Sequence, residues 1–423
     1  MRTPSNSPSD LIHGRGSRFC RGCSSTELFT AIDLGSLPIA NELQLTPDAI
    51  IEKFPLHLKI CKTCGLGQVA DVTTPERIFK DYRYLSSMST TFIEHASRFA
   101  DRTIQEGLVT NGGWVLEIAS NDGYLLKNYK AKGIKCLGIE PAENVAEYTT
   151  KIGIETISDF FSMNLASEIL AKHGYPSLIV ANNVLAHVPD LSDFVAGLSI
   201  LCGPTTIISV ENPSLLNILI GMQFDTIYHE HYSYLTATAV SKIAEINHLV
   251  LYDVEELTIH GGSNRYWMRS KNAEFLISDS VKRVMDKESS YDAFMQGTWK
   301  NYSKKVNKIL NDFVSWITPK FTETRVIFGY GAAAKASTIL NSTNLEAGKL
   351  SGIADLSLEK QKRYMPPSGI PIISPLELQN SGVTDIVIFP WNIADEVISQ
   401  IGSLVKSWDG QFVVAVPKLE IIK

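Results

Sequence analysis

Tyr228-His-Glu-His231 puts a phenol, a carboxyl and two imidazoles in four consecutive positions of a chain with only nine histidines among 423 residues. Imidazole titrates near neutral pH, so such a cluster suits proton transfer to and from a substrate. His187, in Asn182-Asn-Val-Leu-Ala-His187, follows an apolar run and is expected at the same sheet edge. Two other readings stay open: histidines buried against backbone carbonyls, and a His-x-His or Glu-x-x-His metal site. Spacing two speaks against the metal, because His229 and His231 would face apart on a strand.

A second constellation is Cys20-Arg-Gly-Cys23 with Cys61-Lys-Thr-Cys64, the two pairs separated by 37 residues. Two Cys-x-x-Cys turns supply four thiolates to one tetrahedral zinc ion, and a site closed by four protein ligands is structural rather than catalytic. Unrelated turns or a disulfide framework are the alternatives. Residues 1–16 are rich in Ser, Pro and Gly without an apolar export core, and no run approaches the roughly 20 apolar residues of a membrane helix. A cytoplasmic location is therefore expected, and its reduced thiols favour metal over disulfides. Cys136 and Cys202 lie in strand-like runs and read as core.

The elements that must position these groups follow from apolar patterning. At 44% apolar and 20% charged, a chain of this length holds two or three domains. Residues 1–16 read as a flexible tail and 17–75 as the zinc-binding domain. Trp114–Ile118, Cys136–Glu140, Ser177–Ala181 and Thr205–Val210 are buried-strand runs alternating with helical stretches, which implies a doubly wound parallel sheet. Residues 280–320 pattern as an amphipathic linking helix, completing a unit over 76–320. A shorter strand series, from Arg325–Gly331 through Leu350–Asp355 and Asp385–Phe389 to Phe412–Val416, implies another α/β domain over 321–423. The net charge of −6 and the lack of a basic stripe argue against a nucleic-acid partner.

The first strand of the long series ends at Glu117-Ile and turns through Ala119-Ser-Asn121-Asp122-Gly123, at the edge where open parallel sheets bind ligands. The next strand ends in Glu140, placed to accept both hydroxyls of a ribose; a solvated strand end is the plainer reading. The turn lacks the three glycines of a dinucleotide fingerprint. With Glu140 it instead resembles the class I S-adenosylmethionine (SAM) methyltransferases. That resemblance brings Gly123 past the methionine part, sets Glu117 or Asp122 at its charged end, gives the adenine amine to Asp159, and counts Asn121 and Asn182 among the cofactor-binding residues.

Across nearly the whole chain the order of motifs resembles the zinc-containing sugar C-methyltransferases, which act on nucleotide-linked 4-keto-deoxysugars. The motifs are the two cysteine turns, Leu34-Gly-Ser-Leu-Pro-Ile-Ala-Asn41, Tyr82-Arg-Tyr-Leu-Ser-Ser87, Glu117-Ile-Ala-Ser-Asn-Asp-Gly123, Tyr228-His-Glu-His231, His260-Gly-Gly-Ser263 and Gly329-Tyr-Gly-Ala-Ala-Ala-Lys335. The resemblance implies an α/β protein with an N-terminal zinc-binding module, a Rossmann-like class I methyltransferase domain and a second, C-terminal Rossmann-like domain that helps bind the sugar nucleotide. It implies methyl transfer to the carbon beside the ketone, C-3, of a dTDP-linked sugar through an enolate. His231 is then the base, with Tyr228, Glu230, His187 and Tyr82 around the sugar. Gly329, Gly331, Ala332 and Lys335 would receive the diphosphate, with His260-Gly-Gly-Ser263 and Arg265 beside it, although a close-packed turn explains the glycines and a surface ion pair the Arg as well. The expected cofactors are SAM and structural Zn²⁺, and the expected partner is a small nucleotide sugar, with no nucleic acid, no membrane and at most weak self-association. Methyl transfer to oxygen or nitrogen, and non-catalytic binding of a sugar nucleotide, are the rival readings.

Overall fold

Alternating burial along Leu28–Leu37 (β1) and Phe54–Cys61 (β2) folds them into an antiparallel pair, with Leu28 opposite Cys61 and Leu37 opposite Phe54. Gly67–Gln68 (β3) pairs with the other edge of β2. The computed structural model describes residues 18–79, 85–109, 112–318, 325–343, 345, 348–405, 408 and 410–422. The expected tail over 1–16 and Tyr82 lie outside them. The β1–β2 pairing carries Cys61 to the first cysteine turn, and one tight turn later Cys64 joins it. All four sulfurs lie within 4.8 Å of one another, the one such cluster of metal-ligating side chains among the described residues. Separations of 3.5 Å for Cys20–Cys64 and 3.7 Å for Cys23–Cys61 fit a tetrahedron whose zinc–sulfur bonds of about 2.3 Å give edges of about 3.8 Å. Without a cation these thiols compete for protons: the hydrogen bond with Cys61 and burial push Cys20 up to about 12. The four cysteines therefore fit zinc.

The central sheet orders Trp114–Ile118 (β4), Lys135–Ile139 (β5), Glu155–Ile157 (β6), Leu178–Asn182 (β7) and Ile207–Pro213 (β8) as β6-β5-β4-β7-β8, all parallel. The order reverses beside β4, the crevice position where such sheets take ligands. Ser233–Tyr234 (β9) belongs to neither this sheet nor its edge. It pairs with β3, Tyr234 opposite Gly67, and completes the zinc sheet. Leu249–Leu257 (β10) and Ser263–Ser270 (β11) then add an antiparallel hairpin outside β8. The sheet is thus not wholly parallel. β10 mixes buried and half-exposed residues, as an antiparallel strand at a sheet edge does, and its apolar run, Leu249–Tyr252, gives way to acidic residues halfway along.

Ile327–Tyr330 (β12), Gly352–Ala354 (β13), Ile372–Ile373 (β14), Asp385–Ile388 (β15), Gln411–Val414 (β16) and Glu420–Ile422 (β17) form the third sheet, ordered β14-β13-β12-β15-β16-β17 and parallel except for β17. The expected single linking helix is two, Asp279–Ser290 and Gln296–Ile317, broken where Asp292 adopts φ 51°. The longer one buries Trp299, Tyr302, Val306, Leu310, Phe313 and Ile317 at helical spacing. Those side chains share one core with Phe29 and Leu58 of the zinc sheet and Ile353 and Val387 of the third sheet. Ser303 adds a hydroxyl hydrogen bond to the Ala31 carbonyl at 3.0 Å. No helix among the described residues is long and apolar enough to cross a membrane.

Cys61→Ser should abolish stoichiometric zinc, read by elemental analysis. With the chain melting as one unit, a loss of about 3 kcal/mol would lower the melting temperature by about 3 °C, read by calorimetry.

Candidate functional site

A cavity of about 1220 Å³ opens at the carboxyl ends of β4, β5, β7 and β8, and its far wall is the start of the helix Ala334–Ser342 after β12. It exceeds the roughly 300–1,000 Å³ of a site for one drug-sized ligand. Two chemically distinct ends share it.

At one end, the turn after β4 is forced close to the ligand space by left-handed residues, Ala119 at φ 57° and Asn121 at φ 50°. Glu140, at the end of β5, accepts the Asn121 amide at 2.9 Å and the Ala142 amide at 3.0 Å. Burial nevertheless raises its carboxyl to about 7. Asn121 Oδ1 and Asp122 Oδ2 accept the amides of Ser86 and Ser87, at 2.8 and 3.1 Å, so the end of the Tyr82–Ser87 motif is fastened over this turn. Glu117 is 1% exposed, and neither carboxylate oxygen has a hydrogen-bond partner among the described residues. Burial, then the charges of Asp122 and Glu140, holds its carboxyl far above the usual range. Three crowded carboxyls at a strand edge fit a ligand bearing positive charge and a ribose diol, which SAM has. Asn182, at the end of β7, completes this wall.

At the other end, Tyr228 and His231 face the cavity as a bonded pair, hydroxyl to Nε2 at 2.8 Å. His231 Nδ1 lies 3.0 Å from the Thr226 carbonyl, and a carbonyl only accepts. The proton is therefore on Nδ1, and the Tyr228 hydroxyl donates to the Nε2 lone pair. The His187 ring stands edge-on, 4.7 Å from His231, with Nδ1 donating to the Glu230 carbonyl at 2.7 Å. Burial lowers His187 to about 4 and, with the neighbouring charge of His187, drives His231 well below its ordinary value. Both rings are neutral at pH 7. Glu230 Oε1 accepts both the backbone amide of Asn41 at 3.0 Å and its side-chain amide at 3.2 Å, while burial raises the carboxyl. His229 faces the other way, toward the Phe54 and Pro55 carbonyls at 3.2 and 3.3 Å.

Three family descriptions match consecutive parts of the chain: a putative zinc binding domain over residues 20–79, a methyltransferase domain over 92–251, and a C-methyltransferase C-terminal domain over 258–417. The chain is also 29% identical to the C-methyltransferase NovU of Streptomyces niveus over 405 residues, 95% of this chain and 96% of that protein. These matches make the chain a C-methyltransferase that carries a zinc-binding domain. Among solved structures it resembles magnesium protoporphyrin IX methyltransferase from Synechocystis PCC 6803 with bound SAM, at 13% identity over 46% of this chain and 89% of that one, with a TM-score of 0.33. The CcbJ methyltransferase of Streptomyces caelestis gives 12% identity, 42% and 90% coverage and a TM-score of 0.33. Likenesses that small add nothing to the assignment.

In this C-methyltransferase the cavity wall gathers Asn121, Glu140, Asn182, His187, Tyr228, Glu230, His231 and Lys335. Glu117 and Asp122 lie behind it. Gly123 takes φ 79° and packs toward the helix Glu143–Lys151, where a Cβ would meet Ile152 at 3.0 Å; Ala119 and Asn121 make the close approach in its place. Asp159 is exposed and off the wall, its Oδ1 accepting the Phe160 amide, while Phe160 itself lines the cavity. Arg265 is neither a surface ion pair nor a cavity residue: it pairs with buried Glu211 and lies 4.3 Å over the Phe99 ring. Gly329 is packed under Phe389 and Gly331 against Pro390, and the Ala332 amide is taken by Asp355 at 2.8 Å. The turn's glycines thus serve packing, and only Lys335 of that set reaches the cavity, bonded to Asn392 at 3.0 Å over the Trp391 ring. His260, whose motif was expected beside the ligand, lines the wall, as do His95 and Lys360, which belong to none of the sequence motifs. His95 bonds Glu211 at 2.9 Å; burial alone would raise that carboxyl, but His95 and Arg265 hold it below the usual range.

A diol donating to Glu140 favours the ionised form, so binding must displace its proton below about pH 7. SAM affinity should rise as pH increases toward about 7 and level off above it, whereas Glu140→Gln should bind more weakly and without that slope, both read by calorimetric titration.

Proposed function

We propose that the enzyme moves a methyl group from SAM to the carbon beside the ketone, C-3, of a dTDP-linked 4-keto-deoxysugar, in a reducing compartment such as the cytoplasm. The observation that carries this reading is the Tyr228–His231 pair, a phenol hydrogen-bonded to a neutral imidazole on the wall of a cavity that also holds the carboxyl-lined end. When bound, SAM supplies an electrophilic methyl on a sulfonium. The chain supplies the proton chemistry. His231 Nε2 is the base, reached through Tyr228: the Tyr228 oxygen takes the proton from carbon as its own proton passes to Nε2, and the Thr226 carbonyl steadies the imidazolium that results. His187 uses Nδ1 on the Glu230 carbonyl, so its Nε2 is an acceptor and orients a sugar hydroxyl. Glu230, with one oxygen fixed by Asn41 and its carboxyl raised by burial, is suited to donate from the other oxygen to the developing enolate. The first turn of the helix Ala334–Ser342, with Lys335 and Lys360, would face the diphosphate.

The test is incubation of zinc-loaded enzyme with SAM and dTDP-4-keto-6-deoxysugars deuterated beside the ketone, followed by mass spectrometry. One methyl gained with one deuteron lost supports the reading; a methyl gained with the deuteron retained assigns transfer to oxygen or nitrogen. His231→Asn and Tyr228→Phe should each lower kcat by about 10²- to 10⁴-fold with SAM binding intact. Full activity in either variant would remove that residue from the proton path.

A further inference from the structure

Arg21 lies between Cys20 and Cys23, and its side chain is 3% exposed. Its backbone amide donates to Gln68 Oε1 at 3.0 Å, and Gln68 donates back to the Phe19 carbonyl at 2.8 Å. One terminal nitrogen donates to two carbonyls, Val69 and Tyr232, each at 2.8 Å. Nε donates to the Pro189 carbonyl at 3.1 Å, the other terminal nitrogen pairs with Asp71, and the guanidinium lies 5.5 Å over the Tyr232 ring. Pro189 is two residues beyond His187, and Tyr232 follows His231. Those histidine segments also meet directly, through His187 Nδ1 on the Glu230 carbonyl and the His187 ring against His231. A planar fork with donors fixed in direction can hold three carbonyls in register, which a flexible ammonium cannot.

We propose that Arg21 is a positioning residue that sets the His187 segment against the Tyr228–His231 segment, so that the zinc turn fixes the reactive geometry as well as its own sheet. The catalytic consequence rests on the proton path proposed above; the structural one does not. If Arg21 only stiffens the zinc sheet, its loss loosens residues 18–24 and 66–71 and leaves turnover per folded molecule alone.

The test compares Arg21→Lys with the parent enzyme, and the parent with and without chelation of zinc, by hydrogen exchange of peptides, zinc content, SAM titration and methyl-transfer kinetics. Arg21→Lys should keep one zinc and bind SAM with unchanged stoichiometry and affinity. Exchange should speed up in 185–190 and 228–234, and kcat per SAM-binding site should fall at least about tenfold with little change in KM. Chelation should accelerate the same two segments. Exchange confined to 18–24 and 66–71, or kcat per site unchanged, overturns the proposal. If the parent methylates no sugar nucleotide, the functional reading fails while the exchange comparison still decides the role of Arg21. Should Arg21→Lys not melt cooperatively, Asp71→Asn takes its place: faster exchange in both segments supports the proposal, and unchanged exchange there overturns it.

Discussion

Four sulfurs within 4.8 Å of one another can be thiolates together only around a cation, and that demand organises more of this molecule than the cysteine turns themselves. Bringing both turns to one point requires the β1–β2 register, and β3 follows from the second turn. The edge of β3 is then closed by β9, which begins two residues after His231. Through that pairing, and through Asn41 on Glu230, the metal-held sheet is continuous with the residues around the cavity. The long helix Gln296–Ile317 braces the same sheet from behind and carries its packing into the C-terminal domain.

Burial sets the protonation states of the site. The histidines of the reactive end are neutral because the charged form loses its water without gaining a carboxylate, and each hands its Nδ1 proton to a backbone carbonyl. Glu117 and Glu140 at the opposite end are raised for the same reason, Glu117 most of all. Two ends that each resist charge when empty favour a ligand pair that brings a cation to the carboxyls and a weakly acidic carbon to the imidazole. Among groups so deeply buried, each hydrogen bond to developing charge counts for more than it would in water.

Short-range signals were legible in the sequence. The cysteine spacing, the five-residue apolar strands of the central sheet and the Tyr-His-Glu-His run depend on neighbours a few residues away, and each is found near where its pattern points. What escaped depends on distant partners. Asn41 ends a motif visible in the chain, but Glu230 is 189 positions away. Arg265 looks like a ligand contact until Glu211, 54 residues earlier, is seen beneath it. The glycines of the C-terminal turn suggest a phosphate cradle, yet Asp355, 23 residues after Ala332, already takes the amide that a phosphate would need. The β10–β11 hairpin offers only short apolar runs, Leu249–Tyr252 and Tyr266–Met268, flanked by charged and polar residues, and its place is fixed by pairing with β8 about 50 residues earlier.

Residues 225–231 are held from both flanks. Asp225 accepts the Trp391 indole at 2.7 Å and the Ile227 carbonyl accepts the Thr338 hydroxyl at 3.2 Å, both from the C-terminal domain, while Asn41 reaches Glu230 from the zinc sheet. This segment is therefore a seam between domains rather than the property of one. Exchanging the C-terminal domain for a foreign one would cut two of its three anchors unless the partners of Asp225 and Ile227 come with it.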